Sequence, residues 1–135
     1  KMFPRLLLLF SLLIGILIAC EKEDKAIPNK APRVFRASIN GFPNYPDLIM
    51  NDRYRLEFWL SDDLIVSKYD VYINSLDGEA HLILSDTINE RNTDVLTYFQ
   101  LPILDTAGNY DFEIRASDNE GLSGSLTQRV FIRYQ

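Results

Sequence analysis

Thiol and imidazole chemistry are nearly absent from this sequence. It holds one cysteine, Cys20, and one histidine, His81, in 135 residues. A disulfide framework needs an even number of cysteines, and a thiolate zinc site needs several. A Ser–His–Asp or Cys–His arrangement would have to form around His81 alone. That residue lies in the run Ala80–Leu84 and reads as an ordinary strand position. No glycine-rich phosphate loop and no metal-ligand spacing occur. Positive charge is also short: 14 lysines and arginines face 19 aspartates and glutamates. Without a basic stripe to neutralise phosphates, nucleic acid is not an expected partner. A sustained apolar stripe of 3.6-residue period is missing too, which argues against helical and α/β folds.

What is present begins with a leader. Lys1 and Arg5 flank the start of an apolar run, Leu6 to Ile18, which closes as Leu17-Ile18-Ala19-Cys20. Glu21-Lys22-Glu23-Asp24-Lys25 follows at once. Spanning a bilayer takes about 20 apolar residues, whereas the apolar part of a secretory leader needs roughly 7–15. The arrangement resembles a bacterial lipoprotein signal peptide with Leu17 to Cys20 as the lipobox. That resemblance implies cleavage after Ala19, a diacylglycerol on the Cys20 thiol, and no thiol left for any other role. Glu21 to Asp24 resemble the export signal of surface-exposed lipoproteins of the Bacteroidota, which implies an outer-membrane protein facing outwards. Residues 1–19 are then the signal peptide, 20–31 a flexible acidic tether and 32–135 a single domain. Loss of Lys1 and Arg5 leaves twelve basic side chains against 19 acidic ones. Contact with the membrane therefore falls to the lipid anchor rather than to charge.

From Pro32 onward, alternation of period two marks half-buried strands. Tyr54, Leu56, Phe58 and Leu60 share one face, with Arg55, Glu57 and Trp59 on the other. The same pattern runs through Lys68–Asn74, Tyr110–Ser117 and Arg129–Tyr134, and more weakly through Arg33–Asn40, Ala80–Ser85 and Asp94–Leu101. Turn chemistry separates these runs at Asn40-Gly41, Ser61-Asp62-Asp63, Asp77-Gly78, Ala107-Gly108-Asn109 and Asn119-Glu120-Gly121. Gly41–Arg53, with Pro43 and Pro46, reads as the longest irregular connection. About seven short strands at this spacing predict an all-β, antiparallel β-sandwich.

Asp105 to Phe112 resembles the corner before strand F of immunoglobulin-like domains, where a tyrosine hydroxyl, here that of Tyr110, bonds back to upstream backbone. Ile114 to Ser123 resembles the F–G hairpin of cadherin-like domains, and Leu60 to Asp63 fits the B–C region of the same group. Taken together, residues 32–135 resemble an uncharacterised family of immunoglobulin-like Bacteroidota lipoproteins. The resemblance implies the immunoglobulin-like fold and a binding, adhesion or structural module, with an envelope protein as partner.

Two constellations are candidates for chemistry. The B–C and F–G loops of such a sandwich lie at one end, which would gather Asp62, Asp63, Asp118, Asn119 and Glu120. Ca²⁺ takes six to eight oxygen ligands of this kind, and Asp118 matches the position cadherins use. The alternative is that these side chains cap their own turns. Trp59 and Tyr98 form the second set: on neighbouring strands they would make an exposed platform for a glycan or a protein. Otherwise they pack as a pair beneath Gly41–Arg53. Acid pairs such as Asp62 and Glu120 lack the deep pocket that glycoside hydrolysis needs, so a non-enzymatic role is expected.

Overall fold

The computed structural model describes residues 26–135; the leader, Cys20 and the first half of the tether lie outside the described residues. Six strands are formed, numbered in chain order: β1 (Arg33–Ile39), β2 (Leu48–Ile49), β3 (Arg53–Ser75), β4 (Ala80–Gln100), β5 (Gly108–Asp118) and β6 (Ser123–Arg133). Among the described residues no helix interrupts them.

Two of these strands are long, and each serves both layers. The first half of β3 pairs antiparallel with β1 and with the second half of β4. Its second half pairs with the first half of β4 and with β5, which in turn pairs with β6. One sheet is therefore β1–β3–β4, and the other is β4–β3–β5–β6 with β2 on its far edge. The crossing point lies at Asp62 to Ile65, where four residues of β3 stand opposite Arg91 alone. Such an extended bulge bends a strand sharply enough to switch sheets. The expected turn at Ser61-Asp62-Asp63 is thus a bulge in a continuous strand, and six strands replace about seven.

Packing follows the alternation. Tyr54, Leu56, Phe58 and Leu60 are buried from the first sheet, and Tyr69, Val71, Ile73, Phe112, Ile114 and Ala116 from the second. Aromatic contacts join the layers: Phe58 meets Tyr69 edge to face at 5.1 Å, and Phe99 lies 5.5 Å from Phe112. Phe112 is fully enclosed and its deletion to alanine is worth about 3–5 kcal/mol.

Gly41–Arg53 is less irregular than its prolines suggest. Leu48 and Ile49 run parallel to Ile132 and Arg133, and Leu48 and Met50 enter the core. Tyr45 sets its ring edge-on to Phe112 at 5.3 Å, and burial pushes its hydroxyl up to about 12. The turn before it uses Asn40 and Gly41, both at positive φ. In β1 the register slips between Phe35 and Ser38 with Arg36 at φ 55°, a bulge that returns Ala37 and Ile39 to the core side.

Candidate functional site

The acidic end is assembled by the chain that precedes the domain. Asn29 donates its amide to Asp118 Oδ2 at 2.6 Å and to Glu120 Oε2 at 3.0 Å. The backbone N–H of Lys30 reaches the Asp63 carboxylate at 3.2 Å. Asp118 Oδ1 accepts the amides of Glu120 and Leu122, each at 2.9 Å, and closes the β5–β6 turn. Asn119 donates its backbone N–H to the Ile65 carbonyl at 3.1 Å. Ser67 Oγ then bonds the carbonyls of Ser117 and Asp118, tying the β3 bulge to β5.

These contacts set the electrostatics. Burial pushes Asp118 up, yet the donors Asn29, Leu122, Glu120 and Gly121 outweigh it and leave the carboxyl below its usual range. Burial, followed by the adjoining Asp63 carboxyl, pushes Asp62 the other way. Asp62, Asp63, Asp118, Asn119 and Glu120 do share one end of the sandwich, where N–H donors meet carboxylate oxygens of Asp63, Asp118 and Glu120 and the Asp62 Oδ1, while Asp62 Oδ2 is buried without a partner. Among the described residues, no three histidine, cysteine, aspartate or glutamate side chains are grouped to hold a metal ion. The chain is already hydrogen-bonded to the sandwich at Asn29, ahead of Pro32. The chain passes so near β6 that a Cβ at Gly124 would stand 1.9 Å from the Pro32 carbonyl oxygen.

At the corner before β5, Tyr110 donates its hydroxyl to the Thr106 carbonyl at 2.6 Å. Its ring is buried while Thr106 is exposed. This geometry pins the loop Leu101–Ala107 to the start of the strand that carries Phe112.

The outer face of the first sheet is the other candidate. The register places Trp59 opposite Phe35 on one side and Asp94 on the other. Glu57 faces Leu96 in the next row, and Arg55 faces Tyr98 in the row after that. Trp59 and Tyr98 therefore lie on neighbouring strands and on one face, but two rows apart. They do not pack as a pair beneath Gly41–Arg53. Trp59 leans on Phe35 at 6.1 Å, and the Arg53 guanidinium sits 5.0 Å above the Tyr98 ring. Leu96 is 60% exposed and Tyr98 49%. Between the rows lies an open groove of about 370 Å³, walled by Arg36, Glu57, Trp59, Asp94 and Leu96. Arg55 braces one wall through an ion pair with Glu57 at 2.9 Å. Chemically the groove offers an indole and an isobutyl side chain, two carboxylates and one guanidinium. Sequence reasoning found Trp59 and missed Arg36, Glu57, Asp94 and Leu96; the register of β3 against β4 is what joins them.

No family model matches the chain, and no curated protein does. Among solved structures, it is similar to a Niemann-Pick type C2 protein from the Japanese carpenter ant: TM-score 0.58, 6% identity, 78% of this chain and 96% of that one. Two layers, a corner tyrosine and this likeness agree. The chain has an immunoglobulin-like β-sandwich fold. Looser matches are a superoxide reductase (neelaredoxin) from Ignicoccus hospitalis, with TM-score 0.47, 9% identity and coverage of 84% and 87%. Another is a CARDB domain from Pyrococcus furiosus, solved in complex with di-metal ions, with TM-score 0.45, 18% identity and coverage of 83% and 97%.

Proposed function

We propose that the chain is a lipid-anchored outer-membrane lipoprotein, exposed at the cell surface, whose immunoglobulin-like domain is a non-catalytic binding module. Acyl chains on Cys20 hold it, since two lipid chains make an anchor stable where one is marginal. From Cys20 the chain reaches Asn29 in nine residues, roughly 30 Å at full extension. Asn29 and Lys30 fasten it at the acidic end. That end then faces the membrane, and the outer face of the first sheet stands clear of it. The observation that carries the binding role is the groove between Trp59, Glu57, Asp94 and Leu96. Exposed apolar side chains in a contiguous strip, rimmed by charge, are the usual makings of a contact surface. The test has two parts. Cys20→Ser should abolish incorporation of radiolabelled palmitate. In pull-downs of the full lipidated chain from solubilised envelopes, Trp59→Ala should lose bound material that Arg129→Ala, on the other sheet, retains. Equal recovery with both variants would contradict the reading.

A second reading is favoured by the composition of the groove. An indole face beside two carboxylates and a guanidinium suits a sugar ring, with stacking on Trp59 and hydroxyls bonded to Glu57, Asp94 and Arg36. The domain would then be a glycan-binding accessory of polysaccharide uptake. Titration of the chain with neutral polysaccharides decides it: heat of binding that disappears in Trp59→Ala supports the sugar, and no heat with any of them sinks it. Neither reading calls on calcium, since Asn29, Lys30 and backbone amides bond carboxylate oxygens of Asp63, Asp118 and Glu120.

A further inference from the structure

β4 is an edge strand along its whole length: among the described residues it pairs with β3 alone. Its two halves differ. The first half is interrupted at Ile83, and again at Ile88 and Asn89, where residues of β4 have no single partner on β3. Bulges of this kind blunt an edge against strand addition. The second half runs without a break from Asn92 opposite Ser61 to Gln100 opposite Arg53. It contains no proline and no lysine, and its one charge is Asp94. The side chains on its outer face are Asn92, Asp94, Leu96, Tyr98 and Gln100, all exposed.

We propose that this half of β4 pairs antiparallel with the same segment of a second copy, about a twofold axis at Leu96. The inference rests on the reading of the outer face as the contact surface and deepens it. Pairing about Leu96 sets Leu96 against Leu96, Asp94 against Tyr98 and Asn92 against Gln100, and keeps the exposed side chains of both copies on one face. Charge agrees with this register. Arg53 covers Tyr98, so Asp94 of each copy meets a tyrosine capped by a cation, twice by symmetry. A twofold axis at Asp94 would instead oppose two carboxylates.

The dimer completes the groove. Within one chain, Trp59 and Tyr98 are one strand and four residues apart, about 14 Å from ordinary sheet spacings. Across the axis, Tyr98 of the second copy enters the row Phe35–Trp59–Asp94. It then stands two strand spacings from Trp59, about 10 Å, with Asp94 between them. The two aromatic side chains become the walls of one site only when two copies meet.

Leu96→Cys in the full chain tests the register, because paired strands bring Cα atoms within the range a disulfide spans. Oxidation of membranes should yield a reductant-sensitive dimer with Leu96→Cys and none with Leu82→Cys, which is exposed on the bulged half. Sedimentation of the full chain in detergent is the independent measure. Twice the chain mass is expected for the unaltered protein, and a single chain mass for Leu96→Lys with unchanged circular dichroism. A single chain mass for the unaltered protein overturns the proposal, as does cross-linking of Leu82→Cys as readily as Leu96→Cys. Failure of the dimer is distinct from failure of the binding reading, since Trp59→Ala would still lose its partner from a monomer.

Discussion

Replacing Tyr110 by phenylalanine removes one oxygen and leaves the ring in place. The ring is buried against the core, so no cavity opens and the loss is confined to the hydroxyl. That hydroxyl donates to the Thr106 carbonyl at 2.6 Å and lies 3.1 Å from Thr106 Oγ1. A single intramolecular hydrogen bond contributes about 0.5–1.5 kcal/mol, and a buried acceptor left unpaired costs about 1–3 kcal/mol. Thr106 is exposed, so water replaces the lost donor at its carbonyl and the lower range applies. Tyr110→Phe should therefore cost about 1 kcal/mol, a fall of roughly 4–8 °C in melting temperature for a domain of this size. Tyr110→Ala removes the buried ring as well and should cost about 3–5 kcal/mol. Thr106→Ala keeps the carbonyl and should change little. Chemical denaturation and thermal scans of the three variants read these differences. A melting temperature for Tyr110→Phe equal to that of the unaltered chain, or a loss as large as that of Tyr110→Ala, would refute the assignment of the bond.

Other outcomes follow from the acidic end. Asp62 is held above its ordinary value, so its charged form disfavours the fold. Asp62→Asn should raise the melting temperature at pH 7, and the gain should fade as the pH drops through the Asp62 titration. Asp118 is held below its ordinary value, so its contribution is present above the unfolded-state value of about 3.9 and is lost as the pH falls through its own. Acid unfolding of Asn29→Ala should accordingly begin at higher pH than that of the unaltered chain, as followed by tryptophan fluorescence. Gly124→Ala drives a Cβ into the Pro32 carbonyl and should cost about 1–3 kcal/mol, measured by denaturant titration. Millimolar calcium should leave the melting temperature unchanged; a rise would restore a cation site at Asp62, Asp63, Asp118, Asn119 and Glu120.

Much of the fold was legible because burial on one face imposes a strict period of two. The runs at Tyr54–Leu60, Lys68–Asn74 and Tyr110–Ser117 all lie in strands, Arg129–Tyr134 does so up to Arg133, and the corner at Tyr110 is marked by its local sequence. Where both faces are polar the signal vanishes. Asp86 to Asn92 carries β4 across the bend between the sheets, in contact with little core, and reads as loop. Asp62 and Asp63 look like turn residues because the bulge they occupy breaks the alternation and sets two half-buried carboxylates side by side. Two residues suffice for β2, since Leu48 and Ile49 borrow their ladder from β6 at the other end of the chain.

The sites were less legible than the strands. Val95, Leu96, Tyr98 and Phe99 place apolar side chains on both phases, so the sequence does not decide which way Tyr98 faces. Only the pairing of Arg55 with Tyr98 settles it. Asn29 has no local signature at all; its partners Asp118 and Glu120 are brought to it by the closure of the whole sandwich.

The claim that the outer face of the first sheet meets the partner is tested most directly by placing a photoreactive side chain there. p-Benzoylphenylalanine at position 94, in the full chain on intact cells, should give on illumination an adduct heavier than a dimer of the chain. The same group at position 129, on the outer face of the second sheet, should give none. Adducts from position 129 with none from position 94 would contradict the account.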